Sequence, residues 1–173
     1  MRRVLKQASI HVVSGQSLVV PLVIDGLPET IDALGMRWRR KREFHLTAVA
    51  ARVIEALGRG EEIWDLVAEV ASGRDLGPIT ASDDVRRARD PDNSHLQTLI
   101  VMAGCRGLEN LYADLSSALR AELAPPPAHI TLYSTDAAAG IGIVDQSELA
   151  ERAPRLSEVD RTEVRRAMGL PQS

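Results

Sequence analysis

The chain is poor in cysteine, in aromatic residues and in long hydrophobic runs. Its 173 residues include a single cysteine, so no disulfide can form within it. Aromatic residues make up only 3%, so Leu, Val, Ile and Ala must supply the core. The apolar run at residues 17–24 is interrupted by Pro21, lies too late for a signal peptide, and is far short of the roughly 20 apolar residues that a membrane span needs. We therefore expect a soluble, cytoplasmic protein with no membrane contact.

An excess of positive charge is also missing, since the formal net charge is -3. This argues against a protein that coats nucleic acid by bulk charge, although it leaves room for a small basic cleft. Hydrophobic residues make up 45% of the chain, which is enough for an ordinary globular core. The length and the lack of a long linker predict one domain over residues 1–173.

The residue pattern predicts two similar successions of strands and helices along the chain, each with one histidine-bearing strand. A turn with a short helix is expected at Leu27–Gly35. Strands are predicted at Ile10–Val13, Leu18–Ile24, Pro78–Arg89, Leu96–Ala103 and Ala128–Ser134, with Gly140–Val144 as a hairpin partner of the last. Helices are predicted at Ala50–Leu57, Glu61–Ala71 and Leu108–Leu123, with a final helix from a Ser157 cap to about Met168.

Two short segments repeat one pattern: apolar, His, apolar, Thr, apolar. They are Phe44-His45-Leu46-Thr47-Ala48 and Ala128-His129-Ile130-Thr131-Leu132. Residues i and i+2 of a strand share a face, so each histidine should project beside its threonine, opposite a core-facing side. The same alternation places Tyr133 beside His129 and Thr131. Two such strands facing each other would form a cleft with two imidazoles and two hydroxyls.

This set of side chains suits phosphodiester chemistry. An imidazole titrates near pH 6.5, so it can give or take a proton near neutrality. Displacement at phosphorus needs a base for the attacking water and an acid for the leaving oxygen, and His45 and His129 can fill these two roles. Threonine hydroxyls can donate to the non-bridging oxygens, which predicts phosphate binding by Thr47 and Thr131.

At these residues the sequence resembles the two-histidine phosphoesterase superfamily, which is defined by paired His-x-Thr/Ser motifs. That superfamily includes RNA 2',3'-cyclic phosphodiesterases and 2'-5' RNA ligase-like enzymes. The resemblance extends from about Trp38 to about Val144. It implies an α+β fold, with duplicated two-lobe antiparallel sheets, outer helices and a central cleft. It also implies a reaction without metal or other cofactor, on a nucleotide or RNA end that carries a cyclic phosphate. An aromatic residue near the motifs often helps to hold the nucleotide in this family, a part that Tyr133 would play here.

The basic run Arg37–Arg42 leads directly into the first motif. If the strand is continuous, Arg39 and Lys41 lie on the His45 side and can contact phosphate; the alternative is a solvated surface. His11, in an apolar run without a following threonine, is expected to be structural. His95 follows a turn and suits a cap or surface role, and Cys105 suits a buried thiol. The four histidines lack the short spacings of zinc ligands, so no metal site is predicted.

Three alternatives to hydrolysis remain open from the sequence. The same residues could join RNA ends through a 2'-5' linkage. The cleft could belong to a regulator that binds nucleotide without turnover. The paired motifs could also be a coincidence in a structural α+β domain, in which case the two histidines would lie far apart.

Overall fold

The computed structural model describes residues 3–7, 9–10, 17–58, 62–136 and 138–170. It confirms an α+β protein with antiparallel strands. The strands of the described part are β1 (Arg3–Gln7), β2 (Leu18–Val23), β3 (Thr30–Ala33), β4 (Met36–Arg40), β5 (Phe44–Val49), β6 (Ile79–Arg89), β7 (Gln97–Gly104) and β8 (His129–Ser134). The helices are α1 (Ala51–Glu55), α2 (Glu62–Ala71), α3 (Gly107–Leu119), α4 (Gln146–Arg152) and α5 (Glu158–Ala167).

The eight described strands form one hydrogen-bonded sheet in the order β3-β4-β8-β5-β2-β1-β6-β7. In addition β8 pairs with β7, so β8, β5, β2, β1, β6 and β7 form a closed ring of paired strands. One edge of β8 is shared, because its first half pairs with β5 and its second half with β4. Strand β8 is therefore the central element, with β5 on one side and β7 on the other.

Two hydrophobic clusters lie on opposite faces of the sheet. The larger one contains Leu99 and Val101 of β7 and is covered by α2, α3 and α5. The smaller one contains Ile100, which points the other way because it lies between those two residues. Leu149 of α4 belongs to this second cluster, so α4 and the loop before it cover the β7 side of the second face.

Most predicted elements are confirmed in type, and two are wrong. The turn with a short helix expected at Leu27–Gly35 is instead a β-hairpin of β3 and β4. Residues of β3 alternate between exposed and buried, which is a strand pattern. The turn consists of Leu34 and Gly35, both with positive φ, which matches the right-handed twist of a hairpin.

The second error concerns Gly140–Val144, predicted to be a strand beside β8. These residues form no strand, and β4, β5 and β7 occupy the positions beside β8. The prediction for Ile10–Val13, with His11, lies outside the described residues except for Ile10. The final helix is confirmed: the Ser157 hydroxyl accepts a hydrogen bond from the Asp160 amide at 3.1 Å.

Candidate active site

The two histidine motifs lie on neighbouring antiparallel strands. Leu46 of β5 pairs with Ile130 of β8, and both side chains are fully buried in the larger cluster. Antiparallel pairing around this point places His45 opposite Thr131 and Thr47 opposite His129. The two motifs are thus related by an approximate two-fold axis through the Leu46–Ile130 pair. We call the side that carries these two histidines and two threonines the histidine face.

The two histidines are diagonal neighbours on this face. Diagonal positions of an antiparallel pair are about 7–8 Å apart at the backbone, so both imidazoles can reach one group between them. When His129 is protonated, its positive charge contributes to lowering the pKa of His45, after burial and the charge of Lys41, as expected for rings that interact electrostatically. Residues far apart in the sequence therefore converge on a single site of two imidazoles and two hydroxyls.

His129 is buried and held in a fixed orientation. Its side chain is only 9% exposed, and Nδ1 lies 2.7 Å from the carbonyl oxygen of Pro127. Because a carbonyl can only accept, Nδ1 carries the proton and Nε2 of the neutral ring is an acceptor. Burial lowers the pKa of His129 below its ordinary value of 6.5, and the bond to Pro127 partly opposes this. The ring is thus a neutral base in the free protein.

His45 is the more accessible member of the pair. Its residue is exposed, and within the described ranges its imidazole makes no hydrogen bond to the protein. Loss of solvation is the largest cause that lowers the pKa of His45, followed by the charge of Lys41 and then that of His129. Glu43 acts in the opposite direction. Both ring nitrogens of His45 can therefore exchange protons with solvent or a ligand.

The hydroxyls of Thr47 and Thr131 are half-buried on the histidine face. Neither makes a hydrogen bond to another group in the described part of the chain. Each is therefore free to donate to an anion that sits between the imidazoles. Val19 of β2 is paired with Thr47, and Ile100 of β7 with Thr131, so apolar side chains flank the hydroxyls on both sides.

Lys41 and Arg39 reach the site region by a different route from the one predicted. The strand is not continuous, because residues 41–43 separate β4 from β5, and the two strands pair with different halves of one edge of β8. Lys41 acts on His45 through its charge, and its Nζ donates to the Ala139 carbonyl oxygen at 2.9 Å. Burial lowers the pKa of Lys41, while Asp136 and Glu43 oppose the shift. Arg39 is exposed and lines a groove beside His45.

Tyr133 is not positioned to contact a substrate, contrary to the prediction. Consecutive residues Leu99 and Ile100 of β7 pair with Tyr133 and Thr131, so Leu132 is an extra residue in β8. This β-bulge breaks the alternation and turns Tyr133 into the larger cluster, where it is 0% exposed. Its hydroxyl donates to the carbonyl oxygen of Pro28 at 2.9 Å.

Replacing Tyr133 tests this correction. We expect Tyr133→Phe to lower the free energy of unfolding by about 1 kcal/mol, because one hydrogen bond to Pro28 is lost. Binding of an anion such as phosphate at the histidine face should not change, since the ring stays buried and its hydroxyl bonds to Pro28. Urea unfolding and calorimetric titration with phosphate measure the two effects. A large loss of phosphate affinity without loss of stability would show that the hydroxyl has a role at the site.

A loop segment that the sequence did not place crosses the histidine face. We call residues 139–143 the strap. Its first carbonyl oxygen accepts from Lys41, and Arg52 Nη2 donates to the Gly142 carbonyl oxygen at 3.1 Å. Ile141 and Ile143 are buried with Ile100 of β7. Lys41 and Arg52, which donate to the strap, lie just beyond the two ends of β5, and Ile100, which packs against its isoleucines, lies on β7. The strap therefore passes over β8, which lies between β5 and β7, and borders the site there.

The strap and the Pro127 carbonyl are the parts of the site that sequence reasoning missed. The alternation Gly140-Ile141-Gly142-Ile143 is the signal for the strap in the sequence, where it predicts a strand beside β8. The structure retains the alternation, with both isoleucines buried and both glycines exposed, but the backbone of the segment pairs with no strand. For Pro127, its position two residues before His129 in an extended chain was the only indication.

An open groove of about 1030 Å³ begins at His45 and runs away from His129. Its walls include residues of β2, the chain at 24–30, and the stretch from Arg39 to Phe44. Neither His129 nor the two threonines belong to its lining. A phosphate between the two histidines would therefore have the groove on one side and the strap on the other.

The remaining candidate residues lie away from the histidine face. His95 is exposed in the turn between β6 and β7, and its amide is bonded to the Asn93 side chain. Cys105 is half-buried with Sγ 3.6 Å from the Leu76 carbonyl oxygen, and burial raises the pKa of this thiol. In the part of the chain that the structure describes, no group of three or more His, Cys, Asp or Glu is arranged to hold a metal ion.

Comparisons with protein-family models, with curated proteins and with solved structures find no match for this chain. We therefore infer the function from the geometry of the site itself. No helix among the described residues is long and apolar enough to cross a membrane.

Proposed function

We propose that the protein is a metal-independent phosphodiester hydrolase that opens 2',3'-cyclic phosphates of RNA ends or small nucleotides. The observation that carries this proposal is the pairing of β5 with β8 at Leu46 and Ile130, which brings both His-x-Thr motifs to one face. A coincidental repeat would have no reason to place both copies on neighbouring strands, in register and pointing the same way. The resemblance to two-histidine phosphoesterases supports the same function.

The two histidines take different roles because their surroundings differ. His129 is buried, neutral and fixed by Pro127, so its Nε2 accepts a proton from the attacking water. The water oxygen bonds to phosphorus and the bond from phosphorus to one ribose oxygen breaks. His45, which is exposed to solvent, donates a proton to that leaving oxygen. Thr47 and Thr131 donate to the non-bridging oxygens, where negative charge grows in the transition state.

The duplicated two-lobe architecture is part of this proposal. Strands β5 and β8 would be equivalent members of the two halves. Each carries one motif, and each is paired antiparallel on its outer edge with a further strand, β2 for β5 and β7 for β8. The approximate two-fold axis between the motifs supports this interpretation.

Hydrolysis of a 2',3'-cyclic nucleotide in the presence of EDTA tests the function. We expect turnover to a nucleoside monophosphate that EDTA does not reduce, because the proposed acid and base are side chains. Chromatography of the products separates hydrolysis from the joining of RNA ends, which would yield a 2'-5' linked product. Tight binding of a nucleoside 2'-phosphate without any turnover would instead indicate a nucleotide-binding regulator.

The dependence of kcat/KM on pH should be bell-shaped, with its maximum below pH 6.5. Burial lowers the pKa of both histidines below 6.5. The acid must be protonated, so activity falls as pH rises above its pKa; the base must be neutral, so activity falls as pH drops below its pKa. Initial rates at low substrate concentration across pH 4.5–8.5 measure this. A rate that keeps increasing up to pH 8 would contradict the proposed pair.

A further inference from the structure

Of the ten glycines in the described ranges, the backbone explains eight and leaves two without a structural reason. Six have a positive φ, a conformation that other residues rarely adopt. At two others, Gly104 and Gly107, an added Cβ would come within 3.1 Å of a neighbouring residue. Gly140 and Gly142 of the strap meet neither condition, since their φ lies outside that region and an added Cβ would have no atom within 4 Å. The fold would therefore accept alanine at both positions.

The strap also has backbone amides that the fold does not use. The N–H groups of residues 140–143 make no hydrogen bond to any described residue, whereas those of Ala139 and Val144 on either side are bonded. Lys41 and Arg52 donate to carbonyl oxygens of the strap, so they hold it in place and leave these amides open. Backbone amides in folded proteins are nearly always paired with protein, water or ligand. Four consecutive open donors therefore indicate a place for the acceptor atoms of a ligand or of water.

The apolar anchors of the strap are the cross-strand neighbours of His129 and Thr131. The two isoleucines of the strap belong to the cluster that includes Ile100, and Met102 packs against the same cluster. Ile100 is paired with Thr131, and Met102 with His129. Directly opposite residues of an antiparallel pair have Cβ atoms about 4.5–5.5 Å apart. The strap therefore borders the part of the histidine face that His129 and Thr131 supply.

The His129 ring is an independent indication that a ligand completes this part of the face. The residue is only 9% exposed, and its Nδ1 is bonded to Pro127. Its Nε2 has no hydrogen-bond partner among the described residues, although the ring lies on the histidine face. A buried polar atom without a partner is costly, so this acceptor is suited to a polar group that binds between the ring and the strap.

From these observations we propose that Gly140 and Gly142 form one wall of the phosphate site, with a phosphoryl group bound against the backbone of the strap. The open amides donate to phosphoryl oxygens and so add to the hydroxyls of Thr47 and Thr131. The absence of side chains at the two glycines leaves the space that this close approach needs. This inference rests on the phosphate site of the proposed function and adds two binding residues to it.

Titration with inorganic phosphate tests the inference in the wild type and in the Gly140→Ala, Gly142→Ala double variant. In the wild type we expect the NMR signals of both glycine amides to shift with the same dissociation constant as the ring signals of His129. By calorimetry the double variant should bind phosphate about tenfold more weakly, because the added methyl groups keep the anion away from the amides. Its melting temperature should not fall, because alanine can adopt the backbone conformation at both positions.

Gly35→Ala is the matched control, because Gly35 lies in the β3–β4 turn and has a φ of 70°. It should show the opposite pattern, a lower melting temperature with unchanged phosphate affinity. Unshifted glycine amides, or wild-type affinity in the double variant, would overturn the inference.

The variant His129→Ala separates this inference from the proposed function. If His129→Ala loses phosphate binding while the glycine double variant binds as the wild type does, only the inference is overturned. If the strap amides still shift in His129→Ala with unchanged phosphate affinity, the strap binds the anion and the proposed function fails. A wild type that binds no phosphate would overturn both.

Discussion

Replacing either histidine by alanine should lower kcat/KM for a 2',3'-cyclic nucleotide by about 100- to 10,000-fold. In the proposed mechanism each ring supplies one proton transfer at the same phosphorus, so loss of either would block the reaction at one of its two oxygens. The double variant His45→Ala, His129→Ala should be little worse than either single variant, because the two groups act as a unit. Pre-steady-state and steady-state rates at the optimum pH measure these effects.

The roles of acid and base can be separated with a better leaving group. An aryl phosphodiester releases a phenolate that needs no proton, so it should restore much of the activity of His45→Ala but not that of His129→Ala. His95→Ala is the control, because His95 is exposed in a turn away from the histidine face. Rescue of His129→Ala alone would reverse the assignment of the two roles. Full activity in both single variants would exclude the mechanism.

Removal of the threonine hydroxyls should have the second largest effect. We expect Thr47→Val and Thr131→Val each to lower kcat by about 100-fold, because in the proposed mechanism each hydroxyl donates to an oxygen that gains charge in the transition state. Valine has the shape of threonine and favours strands, so β5 and β8 should be retained. The value of kcat should fall more than the affinity for substrate, since the interaction strengthens in the transition state.

Thr98→Val is the matched control for these two variants. Thr98 lies on β7, paired with Ser134 of β8, and is fully buried, but its hydroxyl has no hydrogen-bond partner among the described residues. Removing it should leave kcat unchanged and should maintain or raise the free energy of unfolding. Unchanged kcat in Thr47→Val and Thr131→Val would show that the hydroxyls do not bind the phosphoryl oxygens.

The periodicity of the sequence was sufficient to predict the strands that carry the site. In both motifs the alternation of apolar and polar residues reflects a strand with one buried face, and the buried positions Leu46 and Ile130 are where predicted. The spacing of leucines likewise predicted α3, because Leu108, Leu111 and Leu115 form one face of a helix. These patterns are local, so they can be detected in a single sequence.

The predictions that were wrong concern features that depend on tertiary structure. The bulge at Leu132 arises where β8 changes partner from β5 to β4, and no local residue pattern marks that change. Tyr133 was therefore assigned to the wrong face. Continuous alternation predicts Arg39 beside His45 along one strand, but Arg39 reaches the same groove from β4, which pairs with the other half of the β8 edge that β5 uses. The residues of the strap alternate like those of a strand because its isoleucines are buried, although its backbone pairs with no strand of the sheet.

The most direct test of the central claim is a titration of both histidine side chains by NMR, with and without a saturating nucleoside 2'-phosphate. We expect both residues to have a pKa below 6.5 in the free protein. We also expect both pKa values to rise together on binding, because one dianionic phosphate would lie between the two rings. A rise at only one histidine, or at neither, would contradict a shared phosphate site and with it the proposed mechanism.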